Sequence, residues 1–88
     1  MITTSQVNAI AAKIETMAVD EDTVSQLRQQ YQPIHFTYCM DDDLPDNTPV
    51  IERKDFNLYL IDGREHCLCL TNDYDAATGI VVAEVIPD

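Results

Sequence analysis

The stretch Phe56-Asn-Leu-Tyr-Leu-Ile-Asp62-Gly63-Arg64-Glu-His-Cys-Leu-Cys-Leu70 decides the fold. Two alternating apolar runs flank Asp62-Gly63, a dipeptide that supplies the positive φ angles of a type I′ turn, so the sequence predicts a two-residue β-hairpin. Such a turn fixes the register: Ile61 faces Arg64, Leu60 faces Glu65, Tyr59 faces His66, Leu58 faces Cys67 and Phe56 faces Cys69. Side chains alternate along a strand, which places Phe56, Leu58, Leu60, Cys67 and Cys69 on one side. Asn57, Tyr59, Ile61, Arg64, His66, Leu68 and Leu70 take the other. The first set is apolar and belongs against helices; the second is a mixed, uncovered surface.

Toward the N-terminus, Ile34 to Met40 also repeats every two residues, with Ile34, Phe36, Tyr38 and Met40 on the core side and His35, Thr37 and Cys39 opposite. Asp41 to Pro49 is a loop by its charge and its Asn and Pro content, and the period of Val50 to Asp55 is ambiguous. Beyond the hairpin, Asn72 to Gly79 is a second loop, in which Asp73 and Asp75 cap a helical turn. The β-branched run Ile80 to Ile86 predicts a central or fully covered strand. Residues 4–31 switch to helical spacing, with Val7, Ile10, Ala11 and Ile14 on one stripe and Val24, Leu27, Arg28 and Tyr31 on another. Thr4 or Ser5 is placed to cap the first helix and Asp20 or Asp22 the second, while Pro33 ends the helical half. The expected architecture is a single α+β domain over 1–88, with two N-terminal helices on one face of a four-stranded antiparallel sheet.

Sixteen Asp and Glu against five Lys and Arg give the 88-residue chain a formal net charge of −11. That balance repels phosphate backbones and anionic lipids, so neither nucleic acid nor membrane is an expected partner. The apolar run Ile80–Ala83 stops at Glu84, far short of the ~20 residues a bilayer span needs. The opening Met1-Ile-Thr-Thr-Ser-Gln lacks the basic start and apolar core of an export signal, so a cytoplasmic location is expected, with Cys39, Cys67 and Cys69 reduced.

Chemistry-bearing residues are few. Cys67 and Cys69 read as core residues; the alternative, that His66-Cys-Leu-Cys holds a metal, suffers because alternation points His66 away from both thiols. Cys39 shares a face with His35, and with His66 if their strands adjoin, which is the alternative metal set Cys39, His35 and His66. Asp41, Asp43 and Glu52 match positions 1, 3 and 12 of a calcium-loop spacing, but Pro45 and Asp46 break it where a ligand and a Gly are wanted. No phosphate-cradling Gly loop, dinucleotide fingerprint or nucleophile elbow occurs, so no cofactor and no enzyme activity are expected.

Cys39-Met-Asp-Asp-Asp, His66-Cys-Leu-Cys-Leu-Thr-Asn-Asp and Ala76-Ala-Thr-Gly resemble a family of short bacterial proteins of unknown function. The resemblance covers the β half and implies an association with nitrogen-fixation genes in proteobacteria, with no catalytic residue attached. The expected function is a non-catalytic binding or accessory module. Its partner is a basic protein or a second copy of the chain, met through Asp41, Asp42, Asp43, Tyr59, His66 and Leu68. The alternative is metal binding or delivery.

Overall fold

The computed structural model describes residues 2–44, 48–63 and 69–86. Thr3 opens helix α1 (Thr4–Glu15): its side chain accepts from the Gln6 amide at 3.1 Å, and the Gln6 side chain accepts from the Thr3 amide at 2.9 Å. This reciprocal box satisfies donors that a first helical turn leaves unpaired, one residue ahead of the expected cap. Asp20 caps α2 (Glu21–Gln30) by accepting from the Thr23 amide at 2.9 Å. Val7, Ile10, Ala11 and Ile14 of α1 and Thr23, Val24 and Leu27 of α2 are buried.

The strands are β1 (His35–Met40), β2 (Ile51–Glu52), β3 (Phe56–Asp62), β4 (Cys69–Thr71) and β5 (Gly79–Glu84), with a 3-10 turn over Asp41–Asp43 after β1. They form one five-stranded sheet in the order β1-β5-β3-β2, and β4 also pairs with β3. β1 runs parallel to β5, while β3 is antiparallel to β5, β2 and β4. The four-stranded antiparallel expectation is therefore corrected to a mixed sheet of five. Alternation along a strand specifies which side chains share a face, not which strand lies alongside. β5, buried from Gly79 to Ala83, occupies the covered position that its β-branched run predicts.

The hairpin register is also corrected. Asp62 pairs with Cys69, Ile61 with Leu70 and Leu60 with Thr71, while Phe56 lies opposite Glu84 of β5. Asp62 stays in the strand, and among the described residues no glycine takes a positive φ. Thr78 ties this end of β3 to the start of β5. The Thr78 amide donates to the Ile61 carbonyl at 2.8 Å, and its Oγ1 accepts from the Gly63 amide at 3.0 Å. Cys69 therefore sits exposed opposite Asp62, not in the core. Cys67, with Arg64, His66 and Leu68, lies outside the described residues.

Phe36, Phe56, Leu58, Leu60, Ile80 and Val82 join the helix stripes in one core on a single side of the sheet. Gly79 allows β1 to approach: a Cβ there would stand 2.8 Å from the His35 carbonyl oxygen, a distance that backbone atoms cannot relieve cheaply. On the opposite side Tyr59 and Ile61 are 5% and 6% exposed, packed with Val81, Ala83, Cys39, Leu44 and Leu70. The open aromatic and aliphatic face predicted for Tyr59 and Ile61 is thus closed.

Candidate functional site

The closure begins at the end of β1. Asp41 starts the 3-10 turn, and its Oδ1 accepts from Asn57 Nδ2 at 3.1 Å and from the Tyr59 hydroxyl at 2.9 Å. The three come together because Cys39, Ala83 and Asn57 lie in one row across β1, β5 and β3, with Thr37, Val81 and Tyr59 in the next. A chain turning over the sheet after Met40 therefore brings its first carboxylate above Asn57 and Tyr59. Asp41 is half-buried and committed to these bonds, whereas Asp42 and Asp43 are exposed. The acidic run thus divides into one anchor and two outward carboxylates. Asn57, the second donor to Asp41, was not legible as a site residue, because its role depends on a turn joining distant parts of the chain.

Burial pushes the Tyr59 phenol up, and the bond it donates to Asp41 adds to the shift. The Cys39 thiol is raised as well, first by burial against this patch and then by the charges of Asp43 and Asp41. A raised thiol is a poor nucleophile and a poor metal ligand at neutral pH, because the thiolate does that work. Cys39 and His35 lie on the same side of β1 but four residues apart, about 13 Å along an extended strand. Among the described residues, no three His, Cys, Asp or Glu side chains come close enough to hold a metal ion.

β1 itself is an edge of the sheet. The His35 amide donates to the Thr78 carbonyl, toward β5, at 3.3 Å. Alternation then turns the backbone groups of Phe36, Tyr38 and Met40 away from β5. The Phe36 carbonyl is reached by Arg28 Nε of α2 at 3.1 Å, and Arg28 in turn stands 3.8 Å from Glu21. At the N-terminal end of β1 lies an open groove of about 730 Å³, lined by residues that include Arg28, Pro33, His35, Phe36, Ile61 and Gly79. At its other end the acids gather. The Tyr38 hydroxyl donates to the Glu84 carboxylate, and that bond first, then burial and the charges of Glu84, Asp20 and Glu21, push the phenol up to about 12.

Among the described residues, no helix is long and apolar enough to cross a membrane. No curated protein and no solved structure matches the chain. A protein family, described as a family of unknown function (DUF6129), matches residues 9–85, and so takes in most of α1 and all of α2 besides the β half that carried the resemblance. The chain belongs to this family, DUF6129.

Proposed function

We propose that the chain is a small, acidic, non-catalytic binding module that engages a basic protein partner. The observation that carries this reading is the division of the acidic run: Asp41 is fixed by Asn57 and Tyr59, so that Asp42 and Asp43 project from a placed turn. A net charge of −11 attracts such a partner over a distance set by ionic strength, and like charge opposes both nucleic acid and a second copy. Residence in a bacterium, near nitrogen-fixation genes, is the context that the sequence resemblance implies, and with a cytoplasmic setting it belongs to the same proposal. Tyr59 contributes by holding Asp41, since its ring is buried.

Fluorescence anisotropy with a labelled lysine-rich peptide tests this. The full chain is expected to bind at moderate salt and to lose affinity as salt rises. Asp42→Lys combined with Asp43→Lys should weaken binding by roughly tenfold, about 1.4 kcal/mol, with an unchanged far-UV circular dichroism spectrum. Equal binding by the charge-reversed chain, or no binding by either, would overturn the proposal.

A further inference from the structure

We infer that the outer edge of β1 is the docking line, and that the basic partner adds an extended segment there as a sixth strand. This deepens the proposed function and rests on it for the charge of the partner. Three observations on the same strand point to it. The His35 bond to Thr78 places the N–H groups of Phe36, Tyr38 and Met40 and the C=O groups of Phe36 and Tyr38 on the side away from β5, and among the described residues no strand pairs there. Backbone groups left in this way along a six-residue strand form a template for an incoming chain. Among the described residues, Arg28 Nε meets the Phe36 carbonyl, and the Met40 carbonyl, at the N-cap of the 3-10 turn, is taken up by that turn; the amides of Phe36, Tyr38 and Met40 and the Tyr38 carbonyl remain for an incoming strand.

The second observation is the charge beside that template. Asp20, Glu21 and Glu84 act on Tyr38 from the helix side, and Asp41 and Asp43 act on Cys39 from the other. Acids therefore flank the Met40 end of the edge on both faces of the sheet, and an added strand presents side chains alternately to those two faces. A segment with Lys or Arg on both faces near that end matches them, whereas an acidic segment is repelled. The third is the groove at the opposite end, beside Phe36 and His35. It gives a neutral or apolar side chain of the same segment a place, and Arg28 at its wall disfavours a basic one. The occupant is thus an extended segment of another protein, basic toward the Met40 end of β1 and apolar toward the His35 end. Two copies of this chain, each at −11, are poorly suited to share the edge.

Amide hydrogen exchange of the full chain, followed by NMR, tests this with three synthetic peptides. The first joins a Val-rich half to a run of consecutive Lys residues, which a strand distributes over both faces; the second has the same sequence with N-methyl groups on its amides; the third replaces Lys by Glu. In the free protein the Phe36, Tyr38 and Met40 amides should exchange faster than those of Thr37 and Cys39. The Lys peptide should slow those three by roughly tenfold at saturation, the N-methylated peptide should bind at least about tenfold more weakly, and the Glu peptide should not bind. Equal binding of the Lys peptide and its N-methylated form, with no protection at the three amides, would overturn strand addition and leave a basic partner standing. Failure of both basic peptides to bind would overturn the basic partner itself. Protection of the same amides that grows with protein concentration alone would assign the edge to a second copy and overturn the inference.

Discussion

The two faces of the sheet are built on different principles, although both bury apolar side chains. The helix side is a continuous apolar core, in which Leu58, Leu60, Ile80 and Val82 meet Val7, Ile10, Ile14, Val24 and Leu27. Among the described residues, no α-helical side chain joins the apolar cluster on the opposite side. That side buries a smaller patch, Tyr59, Ile61, Val81 and Ala83, and part of its closure is polar, through the bonds of Asn57 and Tyr59 to Asp41. Apolar burial is non-directional and scales with area, whereas a hydrogen-bonded closure depends on a few atoms at fixed distances. One face supplies most of the stability; the other fixes where the acidic turn sits.

Neighbouring residues on β5 offer the sharpest test of that contrast, because Val82 faces the helices and Val81 faces away. Val82→Ala is expected to cost about 2 to 3 kcal/mol and Val81→Ala about 1 kcal/mol, measured as urea unfolding at constant slope. Equal costs would break the distinction between the faces.

A double-mutant cycle on Asp41→Ala and Tyr59→Phe probes the polar closure next. Each single change should cost about 1 to 2 kcal/mol, with Asp41→Ala the larger because it strands the buried Tyr59 hydroxyl. A coupling near 1 kcal/mol is expected, and additive effects would mean that the bond does not hold the turn.

The smallest effect is a response to alkali. The folded chain raises the Tyr38 phenol to about 12 and the Tyr59 phenol above its ordinary value of 10. Their contribution to stability is complete below pH 10 and is lost as pH rises through the folded values. Urea midpoints should fall across that range, modestly because Tyr38 is only half-buried. Tyr38→Phe should flatten the fall and remove the last transition in tyrosinate absorbance.

Much of this organisation was legible because it is local. Period-two spacing in Phe36 and Tyr38 identified the core side of β1, and three- and four-residue spacing found Val7, Ile10, Ala11 and Ile14. The side of Tyr59, Ile61 and Leu70 was also readable, but its burial was not. Nothing near Tyr59 in sequence announces that Asp41 folds over it, or that Leu44 packs beneath the same turn. The Asp62-Gly63 signal misled for a related reason: a local turn preference yielded to the pairing of Asp62 with Cys69. Neighbouring strands were the least legible element, since Gly79 reveals its purpose only once the carbonyl of His35 is beside it.

That last contact bears on the order in which the molecule assembles. His35 and Gly79 lie half the chain length apart, while β3 reaches β5 across a shorter span and β4 adjoins β3 in sequence. Closing a long loop costs more chain entropy than closing a short one, and contacts distant in sequence slow the search. The antiparallel set β3, β4 and β5 is therefore the natural nucleus, and β1 arrives on a preformed edge with α2 attached. Substitutions at Gly79 that crowd His35 should then act mainly on the unfolding rate and leave the rate of folding close to its original value.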